Sequence, residues 1–251
     1  MSKTVLNGLG SKTATFKDSL ISFIINAVAT AATLKLTIER DGVGEKTFIP
    51  TIKMGALVEA QDKIMFLTQR QNSIRRVDTV ANDDAGTTEV FKNLVLDIGT
   101  DGEIKLNDSD EIVTKFSSLA KITADSYIED VEGIVRGSNN ISYNKVNYLQ
   151  SQDKKPVSLV GVDFLVFTAD KMPEAVELSV KGKSVKLSSE NILAYQEETF
   201  GLIRKTYAAN GDVTDHYGTV DAVLIDVRGA DKCTVYDEAQ GADFVFYTVN
   251  I

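Results

Sequence analysis

Short runs of alternating or continuous apolar residues, broken every eight to twelve positions by Gly, Asn or Asp, dominate this chain. Leu34 to Glu39 (LKLTIE), Val176 to Gly182 (VELSVKG), Leu94 to Ile98 (LVLDI) and Phe244 to Ile251 (FVFYTVNI) are rich in β-branched and aromatic residues. A period of two with that composition predicts strands, and turns at that spacing predict a sandwich or barrel. Helical periodicity is confined to two stretches. Thr51 to Gln71 has apolar residues at Ile52, Leu57, Val58, Ile64 and Met65, and Ser188 to Lys205 can hold a second helix. The second is expected to start with Ser189 as N-cap; Ser188 has Asn191, not Glu, three positions on, so the capping box is incomplete.

The pattern is written twice. LVLDIGTDGEIKL, from Leu94, returns 129 positions later as VLIDVRGADKCTV, from Val223. After each comes an acidic loop and a further apolar strand, NDSDEIVTKF in the first copy and YDEAQGADFVFYTV in the second. Upstream, Leu34 falls on Val176, 142 positions on, and the match continues through a Gly-containing turn, a second strand and a helix. Ser22 to Val28 falls on Asp163 to Ala169 at an offset of 141. Four elements recurring in one order point to an internal duplication, and two copies are too few for a solenoid or propeller. The predicted organisation is an N-terminal arm over 1–14, a first module over 15–136, a polar linker over 137–156 with Gly137 and Pro156 as breakers, and a second module over 157–251.

Six to eight strands per module with one helical excursion exclude a simple meander. The expected fold is all-β: two tandem eight-stranded jelly-roll sandwiches, each with a short helix in one connection. This layout, in which LKLTIERDG and VELSVKGK open the two hairpins and an apolar hairpin closes each module, resembles the double jelly-roll major capsid proteins of tailless, membrane-containing icosahedral bacteriophages. The resemblance spans Thr15 to Ile251 and is one of layout, without a signature motif. It implies a homotrimer of pseudo-hexagonal outline, tiled with neighbouring capsomers and minor capsid proteins into an icosahedral shell. It also implies an internal membrane and a virion protein made in the host cytoplasm. The polar start, MSKTVLNGLGSKTA, reads either as an arm touching neighbours or that membrane, or as an ordinary frayed terminus. Loops Arg70 to Val90, Asn210 to Val220 and Arg136 to Pro156 stand where jelly-roll loops project, and the first and last of these are the expected subunit contacts.

Composition narrows the chemistry. A net charge of −9 without a Lys/Arg cluster beyond pairs such as Arg75-Arg76 and Lys154-Lys155 argues against nucleic-acid binding. The apolar run from Leu20 to Leu34 is short of the roughly 20 residues of a membrane span, and carries Ser22 and Asn26. A soluble protein from a reducing compartment is expected, because a single cysteine, Cys233, allows no intrachain disulfide and sits in a strand where it reads as a small buried apolar residue.

The one histidine, His216, excludes a multi-histidine metal site and leaves one imidazole base, with no Gly-x-Ser-x-Gly elbow or phosphate-cradling glycine motif to serve it. No Trp is present to form a sugar platform beside paired carboxylates. Asn82 to Asp84 and Asn107 to Glu111 could gather calcium ligands but lack the twelve-residue loop spacing, so they read as solvated turns. Asp97 and Asp226, the acids of the repeated phrase, read as solvated or turn-capping carboxylates rather than ligands. The sequons at Asn107 and Asn140 carry little weight without a secretory signal. No catalytic, cofactor-binding or metal residue is therefore expected, and the chain reads as a structural protein rather than an enzyme. The alternative is a phage tail or surface receptor- or glycan-binding β-sandwich, for which Tyr143, Tyr148, Tyr207 and Tyr217 would be the exposed aromatics.

Overall fold

The computed structural model describes residues 3–5, 10–16, 22–40, 44–69, 72, 78–81, 87–97, 110–119, 130–134, 142–149, 153–208, 210–237 and 244–250. The N-terminal half runs β1 (Lys3–Val5), β2 (Gly10–Phe16), β3 (Ser22–Ala29), β4 (Thr33–Arg40), β5 (Gly44–Lys53), helix α1 (Met54–Leu67), β6 (Asp78–Ala81), β7 (Thr87–Asp97), β8 (Asp110–Leu119) and β9 (Asp130–Ile134). The C-terminal half continues β10 (Ser142–Leu149), β11 (Asp153–Val157), β12 (Phe164–Thr168), β13 (Ala175–Val180), β14 (Lys183–Ser188), helix α2 (Ser189–Phe200), β15 (Leu202–Tyr207), β16 (Val213–Tyr217), β17 (Ala222–Asp226), β18 (Lys232–Asp237) and β19 (Phe244–Asn250). The fold is all-β apart from these two helices among the described residues.

Among the described residues each half contributes two sheets of four or five strands. In the C-terminal half their orders are β10-β19-β12-β17 and β11-β18-β13-β14, with β15-β16 as a separate hairpin. In the N-terminal half they are β1-β9-β3-β7-β6 and β2-β8-β4-β5. Setting aside β6 and the β15-β16 hairpin, both halves read first-eighth-third-sixth in one sheet and second-seventh-fourth-fifth in the other. Register matches as well: Thr33 lies opposite Lys53 at the entrance to α1, and Ala175 lies opposite Ser188 at the entrance to α2. Asp97 lies opposite Ser22 and Asp226 opposite Phe164, so the third strands correspond at an offset of 142, that of the hairpins, rather than the expected 141.

The C-terminal sheets close over one core. Val157, Leu165, Phe167, Val176, Val223, Ile225, Cys233 and Val235 meet in it, joined by Ile192 of α2. Each such side chain taken from water contributes about 1.5–3 kcal/mol. In β12 and β17 the residues between these, Phe164, Val166, Ala222 and Leu224, are buried too. Strands covered on both faces lose the polar half of their alternation, which is why FLVFT and AVLID are continuous apolar runs.

Several expectations shift. Ser188, not Ser189, caps α2, its Oγ accepting from the Asn191 N–H at 3.3 Å, because Ser188 keeps extended dihedrals as the last residue of β14. The stretch 137–156, read as linker, contains β10 and most of β11, which pair with β19 and β18. Its polar residues sit on strands because backbone pairing to β19 and β18, not their own periodicity, holds them. Likewise 1–14, read as an arm, contains β1 and the start of β2, paired with β9 and β8. After Asp226 the phrase resumes in β18; the matching GTDGEIKL of the first copy lies outside the described residues, and the strand in that place in the sheet is β8.

Cys233 is buried as expected, and burial pushes its thiol up to about 12. Because the unfolded thiol titrates near 8.5, its proton contributes stability that is complete below about pH 8.5 and is lost as pH rises towards the folded value. Iodoacetamide at pH 8 should leave Cys233 unmodified in the native protein and label it in urea, as read by intact mass. Labelling at equal rates in both states would show that the thiol is accessible.

Candidate functional site

Helix α1 is made of good helix formers, MGALVEAQDKIMFL. Its first N–H groups are satisfied without a side-chain cap: Met54 N donates to Ala32 O at 2.7 Å and Gly55 N to Thr30 O at 3.0 Å, both in the turn between β3 and β4. At its other end the Thr68 hydroxyl donates to Ile64 O at 2.8 Å. From Met54 to Ile64 every residue is buried, so the helix is covered all round rather than on one stripe. The cover on one side comes from the other half of the chain, where α1 packs against β17.

Charged groups fill that contact. Lys63 Nζ, fully buried, donates to Ala222 O at 2.6 Å and Gln196 Oε1 at 3.1 Å, with Thr219 Oγ1 at 3.4 Å and Glu59 Oε1 at 3.1 Å. It also lies 5.0 Å from the centre of the Phe200 ring. Glu59 accepts from two consecutive backbone N–H groups, Val220 at 3.0 Å and Asp221 at 2.7 Å. The Arg204 guanidinium pairs with the Asp221 carboxylate and stands 4.0 Å from Glu59 Oε2. Two charges of each sign thus neutralise one another. Desolvation pushes the Lys63 ammonium below its ordinary range, while the charge and hydrogen bond of Glu59 and the charge of Asp221 pull it back up.

Gln196 completes the site. Its Nε2 donates to Leu224 O at 2.7 Å and its Oε1 accepts from Leu224 N at 3.0 Å, so one side-chain amide pairs with the outer edge of β17 as a further strand would. Gly55 lets the backbones approach: a Cβ there would collide with the Asp221 carboxylate and lie 3.1 Å from Thr30 O. Beside the charges is a cavity of about 270 Å³ lined by Thr33, Thr51, Lys53, Thr168, Asp170 and Asp221, with Lys53 and Asp170 paired at 3.7 Å. Chemically the arrangement is a fastening. The acceptors around Lys63 outnumber its three N–H donors, and Glu59 is engaged by two backbone donors.

The residues singled out in the sequence are dispersed. His216 lies on β16, half-buried, 3.3 Å from Thr206 Oγ1. Asp226 caps the turn after β17 as expected, accepting from Arg228 N at 3.0 Å and pairing with the Arg228 guanidinium at 2.6 Å, which raises the pKa of that arginine. Asp97 ends β7. Tyr217 is exposed on β16, whereas Tyr143 and Tyr148 lie on β10 and Tyr207 on β15. Asn82 to Asp84, Asn107 to Ser109 and Asn140 lie outside the described residues, as does most of the loop from Arg70 to Val90, of which Asn72, β6 and the start of β7 are described. Among the described residues no three His, Cys, Asp or Glu side chains converge to hold a metal ion.

Glu59, Lys63, Gln196, Arg204 and Asp221 carry no motif and were not anticipated. The available signal was Glu59 and Lys63 at i, i+4, with Gln61 and Asp62 between them, in the middle of a helix that is apolar at both ends, a spacing equally expected of a solvated pair. The chain matches no known family model and no curated protein.

Proposed function

We propose that this chain is a double jelly-roll major capsid protein, a structural subunit that associates as a trimer and tiles into an icosahedral shell. The observation that carries the reading is the strand order. Eight strands falling into sheets ordered first-eighth-third-sixth and second-seventh-fourth-fifth are the arrangement of a jelly roll, and that order occurs twice in this chain, with a helix after the fifth strand each time. The buried ionic junction supports it further. A shell subunit must transmit load between its modules as one block, and paired charges with fully engaged partners hold α1 against β17 in one register. The N-terminal segment facing a membrane, and contacts to minor capsid proteins, belong to the same proposal.

Light scattering across a concentration series tests it. A mass near three times 27.3 kDa, with shells or hexagonally packed sheets in electron micrographs at high concentration, is the expected result. A persistent monomer would overturn it and turn attention to receptor or glycan binding, with Tyr217 of the β15-β16 hairpin as the exposed aromatic to mutate.

A further inference from the structure

We infer that Lys63 and Gln196 are a self-linking pair: the folded chain joins Lys63 Nζ to Gln196 Cδ as an isopeptide bond, releases ammonia and so ties its two halves covalently. The inference goes beyond the capsid reading and stands without it. To a shell subunit the link would add a permanent fastening between modules.

The groups that such a reaction needs meet at the junction. Nζ stands 3.1 Å from Gln196 Oε1. With a C=O bond of about 1.23 Å, Cδ lies within about 4.3 Å of Nζ, roughly one ångström beyond the contact of a near-attack pair. The carboxamide is held still, because Nε2 donates to Leu224 O at 2.7 Å and Oε1 accepts from Leu224 N at 3.0 Å. The second of these bonds also sets a backbone donor where negative charge gathers on Oε1 during attack. Glu59 Oε1, one helical turn before Lys63 and 3.1 Å from Nζ, is the base. Burial works in the same direction, pushing the ammonium below its ordinary range against the pull of Glu59 and Asp221. Lys63 and Gln196 are both 0% exposed, so bulk water does not compete for the carbonyl.

The ammonium first passes a proton to Glu59. Its two remaining N–H groups keep Ala222 O at 2.6 Å and Thr219 Oγ1 at 3.4 Å, while the freed lone pair attacks Cδ. The Nζ–Cδ bond forms and the Cδ–Nε2 bond breaks. Nε2 leaves as ammonium, carrying the two protons that Nζ gives up, and the exchange needs no co-reactant. The positive charge departs with it. Arg204, paired with Asp221 and 4.0 Å from Glu59 Oε2, then remains as the cation of the junction. A carboxamide is a slow electrophile, so freshly made chain holds the ion pair and converts on standing. The product closes a loop between positions 133 residues apart.

Intact-mass spectrometry of native protein kept warm at pH 8 for several days tests this. A loss of about 17 Da, one ammonia, is expected in the folded chain and not in urea, where the two groups are no longer held together. Tryptic digestion should then give a branched peptide in which Lys63, no longer cleaved, is joined to the peptide carrying Gln196. Mapping matters because Asn210 and Gly211, in an exposed turn, lose the same mass on forming a succinimide. Glu59→Gln and Lys63→Arg, verified as folded by circular dichroism, should stay unlinked. Native wild type that keeps its full mass, or that loses ammonia only at Asn210, overturns the inference. A linked chain that remains monomeric supports it while overturning the capsid reading.

Discussion

Replacing Lys63 with methionine is expected to lower the unfolding free energy by about 3–5 kcal/mol, the cost of leaving a buried partner charge unanswered. Methionine keeps the length and most of the volume of the side chain, so the loss reports charge and hydrogen bonds rather than a cavity. It strips the nearer cation from Glu59, which is itself buried, leaving one Arg204 guanidinium to answer both Glu59 and Asp221, and leaves Ala222 O without its 2.6 Å donor. At roughly 2–4 °C per kcal/mol for a chain of this size, the melting temperature falls by about 10 °C. Urea unfolding of the wild type, Lys63→Met, Glu59→Gln and the double variant gives the coupling of the pair. A coupling of about 1.5–3 kcal/mol is expected for groups in one buried network. A loss under about 1 kcal/mol in Lys63→Met would show that the ammonium is hydrated instead of sealed between the halves.

The second large effect separates two glutamines that occupy equivalent places. Gln196→Leu should destabilise by about 2–4 kcal/mol, because both backbone groups of Leu224 on the outer edge of β17 lose their partner beneath a helix, and Lys63 loses an acceptor. Gln61→Leu should raise stability by about 1 kcal/mol. Its amide is buried, with neither Nε2 nor Oε1 bonded among the described residues, so an apolar replacement removes a desolvation cost without stranding a partner. Thermal melts of both variants suffice. Equal losses at the two positions would mean that Gln61 is also engaged, and that the helices are seated alike in the two halves.

Much of this architecture was legible in the chain. The second copy of LVLDI, the hairpins at Leu34 and Val176 and the helices following them all came from local pattern, and these elements fall where period two and period 3.6 put them. Elements whose apolar content is their own announce themselves. Those whose order is borrowed do not, and β10, β11, β1 and the start of β2 are of that kind. SYNKVNYL and DKKPV are polar segments held by pairing to β19 and β18, so they were read as linker. The cap of α2 was misplaced by one residue because adjacent serines are chemically alike, and only the end of β14 decides which one keeps extended dihedrals.

The sequence by itself determined that this is an all-β protein with a repeated pattern, a buried cysteine and an Asp226 that is either solvated or capping a turn. Each of these depends on residues close together in the chain, where spacing translates directly into geometry. The junction was decided only by tertiary structure. Glu59 and Lys63 at i, i+4 describe a solvated helix pair as well as a sealed one. What seals them is the arrival of Val220, Asp221 and Ala222, about 160 residues later, through the antiparallel pairing of β17 with β12. Burial is a property of the packed whole, and so is the contrast between α1, buried from Met54 to Ile64 with the second half covering one side, and α2, of which only Ile192, Gln196 and Phe200 are buried.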